Sequence, residues 1–128
     1  MSTGTSGNWT SGVISDGKMY FVPNTGTLNA TVFNTLSDQN VKTNVEIISN
    51  ALDIIKKIDG VGFNWRDNGN KSYGVIAQHL ESVIPNLVET NDKGVKSVNY
   101  QGLIAFLIEA IKELSSKIDN FEKDKTNG

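Results

Sequence analysis

A chain of 128 residues with 38% hydrophobic side chains has room for one modest core and a short appendage, not for several domains. Its 12 basic and 14 acidic residues are interspersed and leave a formal net charge of -2, so neither nucleic acid nor an anionic membrane surface is an expected partner. With no cysteine and a single histidine, a disulfide framework and the usual metal constellations are excluded, and no cofactor or metal is expected. The polar start, Met1 to Gly7, lacks the apolar centre of a signal peptide, and no run approaches the length of a membrane span, so folding in solution is expected.

Residues 1–36 are rich in Gly, Ser, Thr and Asn, with short apolar stretches at Val13-Ile14, Met19 to Val22 and Thr31 to Phe33. Asp16-Gly17 and Pro23 to Gly26 punctuate them, which predicts strands and turns. A few short strands bury too little surface to stand alone, so this region needs another copy, the downstream chain or a longer parent to stabilise it.

The character of the chain changes across Leu36-Ser37-Asp38-Gln39-Asn40-Val41-Lys42. A serine hydroxyl is a weak nucleophile unless a positioned base takes its proton, and a lysine serves as that base only while its amine is uncharged. Ser37 and Lys42 are a candidate dyad. The carbonyl of Leu36 is one bond away, so a nucleophile at Ser37 is already tethered to its target and loses no translational freedom in meeting it. Such a reaction runs once per chain. Ser15-Asp16-Gly17-Lys18 repeats the Ser-Asp pair, but its glycine reads as a hairpin turn and its lysine is nearer, so it is taken as structural.

From Asn44 to Ile58 apolar residues recur at steps of three and four, predicting an amphipathic helix capped by Thr43 or Asn44 and ended by Gly60, with Lys42 at its start. Val61 to Trp65 and Ser72 to Ile76, separated by Arg66 to Asn70, predict a hairpin. Phe63, Trp65 and Tyr73 on it are either core and subunit contacts or a ligand platform, the former being the usual fate of large aromatics. Ala77 to Val83 predicts a short helix stopped by Pro85, with His79 a surface residue. Leu87 to Thr90 and Val95 to Tyr100 flank Asn91-Asp92-Lys93-Gly94, a second hairpin.

The last helix, Gln101 to about Lys123, carries Leu103, Leu107, Ala110, Leu114, Lys117 and Phe121 as one stripe and Ile104, Ile108, Ile111 and Ile118 as another. Two stripes exceed what one packed neighbour needs, so an oligomer is expected, with the polar end from Glu122 fraying out of it.

These blocks in this order, Ser37-Asp38 with Lys42, Gly60 to Trp65, Gly74 to Gln78, Ile84 to Val88, Val98 to Tyr100 and Glu109 to Leu114, resemble the intramolecular chaperone auto-processing domain of phage tailspikes, tail fibres and neck appendages, endosialidase tailspikes included. The resemblance implies a homotrimeric α+β domain over residues 37–128, with short β-hairpins, amphipathic helices and a long C-terminal helix. Residues 1–36 would then be the β-rich end of the upstream fibre of the same polypeptide. Ser37 becomes the nucleophile, Lys42 the general base, Leu36-Ser37 the scissile bond and Asp38 the acidic partner of the serine. The implied function is to trimerise and fold a phage tail appendage in the host cytoplasm, then release it to the virion tail by one serine-type autoproteolytic cut. A non-cleaving trimerisation module is the second reading, and a receptor-binding tip using Trp9, Trp65 and the polar loops the third. No Gly-rich Lys-Ser/Thr loop for a nucleotide is present.

Overall fold

The computed structural model describes residues 17–127. Contacts divide the chain into two compact units, with the boundary between Asn44 and Val45. The Val13-Ile14 stretch, Trp9 and the Ser15-Asp16 pair lie outside the described residues.

In the first unit, β1 (Met19–Val22) pairs antiparallel with β2 (Thr27–Ala30), Met19 opposite Ala30 and Val22 opposite Thr27. Gly26, at φ +70°, closes the turn by donating its N–H to Val22 O at 2.8 Å, a conformation that favours glycine. The ladder ends where Thr31 donates to Lys18 O at 2.9 Å, and Val32 and Phe33, expected as a strand, run on without regular structure. Tyr20, Phe21, Leu28, Val32 and Phe33 are all exposed in the single chain, as expected of strands too few to build a core. A single 3₁₀ turn follows at Gln39–Val41.

The second unit opens with a correction. The helix expected over residues 44–58 forms only as α1, Ala51–Ile55. Asn44 and Asn50 hold left-handed backbone, at φ 53° and 56°, and an α-helix cannot pass through such residues. Asparagine is the residue type that tolerates this conformation, so the two positions act as breaks that hydropathy does not register. Lys42 consequently does not sit at a helix start. It follows the 3₁₀ turn, donating its backbone N–H to Gln39 O.

The two expected hairpins are present as β3 (Val61–Asn64) with β4 (Lys71–Gly74), and β5 (Val88–Thr90) with β6 (Lys96–Val98), both antiparallel. Between them, α2 (Ala77–Glu81) ends before Pro85, which begins a 3₁₀ turn, Pro85–Leu87, where its missing N–H costs nothing. The last element, α3, runs from Tyr100 to Asn127, beyond the fraying point expected from composition.

Leu80, Ile84 and Leu87 form the buried core, and Ile54, Val75, Val98, Leu103 and Phe106 pack around it. Each fully buried leucine contributes about 1.5–3 kcal/mol. Ala51 and Ala110 are also buried where α1 meets α3, small enough to let the two backbones approach closely. Along α3 this assigns Leu103, Phe106, Ala110 and Glu113 to the unit's own interior, at steps of three and four residues, and leaves Ile104, Leu107, Ile108, Ile111, Leu114, Ile118 and Phe121 exposed.

Candidate functional site

Ser37 and Lys42 are brought together. Lys42 Nζ lies 2.6 Å from Ser37 Oγ, a contact between side chains five residues apart that an extended chain would hold far out of reach. The fold of the segment explains it. Asp38 Oδ1 accepts the Asn40 N–H at 2.7 Å and caps the 3₁₀ turn Gln39–Val41. Val41 N–H donates to Asp38 O and Lys42 N–H to Gln39 O, at 3.1 and 3.2 Å, so the chain rises as a tight turn and returns the lysine side chain to the serine.

The chemistry open to this arrangement is proton exchange along the Ser37–Lys42 line. A charged ammonium donates to Oγ; an uncharged amine accepts the hydroxyl proton over the same distance and leaves an alkoxide beside the Leu36 carbonyl. The surroundings are open in the single chain: Leu36 is 89% and Val41 68% exposed. Asp38, expected beside the serine, has its carboxylate turned to the Asn40 amide.

The aromatic residues do not make a single platform. Phe63 and Trp65 meet edge to face, centroids 5.0 Å apart. Tyr73 stands opposite Gly62 in the β3–β4 ladder, while Phe63 stands opposite Ser72, and adjacent rungs of a ladder face opposite ways. Lys71 Nζ lies 5.6 Å from the Tyr73 ring centroid on that other side. The open groove beside Trp65 includes Val75, Gln78, Lys96 and Tyr100, but Lys96 is already engaged by Glu81 at 3.1 Å and Thr90 at 2.7 Å. His79 is exposed on α2.

Glu113 is a residue that sequence reading missed. Its carboxylate accepts the N–H groups of Ala51 at 2.8 Å and Leu52 at 3.1 Å, doing for α1 what the left-handed Asn50 side chain does not. Its place one turn after Glu109 on the predicted helix gave no sign of a partner so far back in the chain.

Residues 37–89 match the family described as the chaperone of endosialidase, which is classed by name as a peptidase, and the match begins on Ser37 itself. The chain is also similar to the long tail fiber protein Gp37 of Salmonella phage S16, 33% identical over an alignment of 103 residues that covers 70% of this chain and 14% of that protein. The Gp37 proteins of Enterobacteria phages K3 and T2 are each 39% identical to it over an alignment of 95 residues that covers 67% of this chain. Only 8% and 7% of those two proteins are covered, so the chain spans a small fraction of the curated relatives it matches.

Proposed function

We propose, from the match of residues 37–89 to the chaperone of endosialidase family, that this chain folds and trimerises a phage tail fibre and then severs itself from it at Leu36-Ser37. The observation that carries the cleavage is the 2.6 Å contact between Lys42 Nζ and Ser37 Oγ, adjacent to the bond in question. Ser37 Oγ attacks the Leu36 carbonyl carbon as its proton passes to the uncharged Lys42 amine. The Leu36–Ser37 C–N bond breaks as Lys42 returns the proton to the departing nitrogen, leaving Leu36 as an ester on Oγ. Water, deprotonated by Lys42, hydrolyses the ester to a Leu36 carboxylate and restores the Ser37 hydroxyl. Asp38 serves this chemistry by holding the turn.

The fibre partner is suggested by the Gp37 similarity, and the phage tail is the corresponding location for the released product. The oligomeric role is supported by the exposed apolar face of α3, which a lone chain leaves in water. Ile104, Ile111 and Ile118 recur every seven residues, with Leu107, Leu114 and Phe121 three further on, the a and d positions of a coiled coil. In isolated coiled coils Ile at a with Leu at d favours two strands, but exposed Ile108 at an e position widens the apolar arc to suit a third. Residues 1–36 are read as the end of the upstream fibre.

Mass spectrometry of freshly purified protein tests the cut. Fragments ending at Leu36 and starting at Ser37 are expected, and Ser37→Ala or Lys42→Ala should leave the chain whole. A wild-type chain that stays intact through long incubation leaves the second reading, a trimerisation module that does not cleave, which the α3 face supports independently of the dyad.

A further inference from the structure

We propose that Asn68 is a site of spontaneous covalent modification, converted to aspartate or isoaspartate through attack by the Gly69 amide nitrogen, and that the hydrogen bonds of the β3–β4 turn hold this reaction in check while the hairpin is closed. Asn-Gly occurs twice in the sequence, at Asn68-Gly69 and Asn127-Gly128, and the first pair lies in the turn between Asn64 and Lys71. A glycine after asparagine carries no side chain to shield its nitrogen, so that nitrogen reaches the asparagine side-chain carbon with little hindrance. The turn needs glycine for a different reason. Gly69 sits at φ +76°, where an L side chain is strained. The backbone requirement of the hairpin thus places a chemically labile pair at its exposed tip.

In the reaction the Gly69 nitrogen bonds to Asn68 Cγ and gives up its proton, the Cγ–Nδ2 bond breaks, and ammonia leaves with that proton. Water then opens the cyclic imide. Addition at Cγ yields aspartate, and addition at the main-chain carbonyl yields isoaspartate, with one methylene more in the backbone.

Neither reacting group is free in the closed turn. The Gly69 N–H donates to Trp65 O at 2.7 Å, which occupies the proton that must be removed. Asn68 Oδ1 accepts the Asn70 N–H at 2.9 Å, so turning this side chain onto Gly69 breaks an Asx turn. Asn64 Nδ2 donates to Gly69 O and Trp65 N–H to Asn70 O, both at 2.9 Å. Burial contributes nothing, since residues 64–71 are exposed and a Cβ added at Gly69 would meet no atom within 4 Å. The rate therefore follows the fraction of time the turn is open. An isoaspartate would in turn spoil the Trp65–Asn70 closure of the hairpin that leads to Val75, whose N–H holds the Tyr100 hydroxyl at 3.1 Å.

The test holds the full chain at mildly alkaline pH, folded in buffer or unfolded in guanidinium chloride. The tryptic peptide Asp67 to Lys71 is then followed by mass spectrometry, with fragmentation locating the change and chromatography separating isoaspartate. Asn68 should react at least about tenfold more slowly in the folded chain, as expected if the turn is open less than about a tenth of the time. Asn64→Ala removes the donor to Gly69 O and should speed the folded-state reaction about two- to tenfold, with the rate in guanidinium unchanged. Circular dichroism reports whether that variant is folded; if it is not, the wild-type comparison decides alone. Equal rates in the folded and unfolded wild type, or a folded Asn64→Ala chain that reacts no faster, overturn the protection. An Asn68 that stays intact in guanidinium overturns the site itself.

Discussion

Glu113 Oε2 accepts the backbone N–H of Ala51 at 2.8 Å, joining α3 to the first residue of α1 across 62 positions of sequence. A five-residue helix is too short to persist by itself, so α1 depends on what holds its ends. Glu113→Ala should lower stability by about 1–3 kcal/mol, because two amides lose a charged acceptor in a half-buried place. Glu113→Gln keeps an acceptor and should cost less than half as much. Urea unfolding at one fixed protomer concentration measures both; equal losses would mean that packing of the side chain, and not capping, is what matters.

Lys42→Arg separates base chemistry from charge. Arginine keeps the cation and most of the reach, but does not give up its proton in a protein. The variant should fold and assemble as wild type while cleavage at Leu36-Ser37 is lost, read by intact mass after prolonged incubation. Cleavage at the wild-type rate in Lys42→Arg would exclude Lys42 as the base.

Asp38 offers a similar separation. Its carboxylate caps the 3₁₀ turn through the Asn40 amide, so what the turn needs is an acceptor at that position, not a charge. Asparagine is about as good a cap as aspartate, whereas alanine loses about 1 kcal/mol. Asp38→Asn should therefore cleave within about twofold of wild type, and Asp38→Ala several-fold slower. If Asp38→Asn is as impaired as Asp38→Ala, the negative charge acts on the serine or the lysine directly.

Much of this was legible in the sequence. The two hairpins between residues 61 and 98 follow from turn chemistry at Asp67 to Gly69 and Asp92 to Gly94, where Gly69 and Gly94 take the positive φ the turns require. The Ser37–Lys42 pairing was expected from the resemblance and not from local pattern, which put Lys42 at a helix start; the 3₁₀ turn Gln39–Val41 that returns its side chain to Ser37 has no sign in the hydropathy. The helix at 44–58 was misread because periodicity records which residues are apolar, while two left-handed asparagines decide where the backbone turns. The α3 stripes were also assigned differently. Leu103 and Ala110 face inward and Lys117 flanks the seam, since which of two apolar rows meets a chain's own domain depends on contacts 50 or more residues away, such as that of Glu113 with Ala51.

Gly74 and Tyr100 form a second long-range tie. Val75 donates its N–H to the Tyr100 hydroxyl at 3.1 Å, fixing the start of α3 on β4, and a Cβ added at Gly74 would collide with that same oxygen. Gly74→Ala should cost about 1–3 kcal/mol by overpacking. Combined with Tyr100→Phe, which removes the oxygen, it should cost measurably less than the two single changes added together, a coupling that a double-mutant cycle reports. Strict additivity would place the strain elsewhere.

Ile111 and Ala110 are adjacent in sequence and opposite in circumstance: Ile111 is 66% exposed in the single chain, and Ala110 is 4% exposed against α1. A charge at 111 therefore costs a lone subunit almost nothing, but in a coiled coil it lands at a buried a position with no partner, where an unpaired charge is strongly unfavourable. Ile111→Lys should leave the helical circular dichroism of the chain near wild type and shift it from oligomer to monomer at micromolar concentration, as sedimentation velocity would show. A bulky Ala110→Leu should do the reverse, disturbing the α1–α3 contact and the unfolding midpoint before it touches assembly. If Ile111→Lys remains fully oligomeric, the surface that joins the copies is not this face of α3.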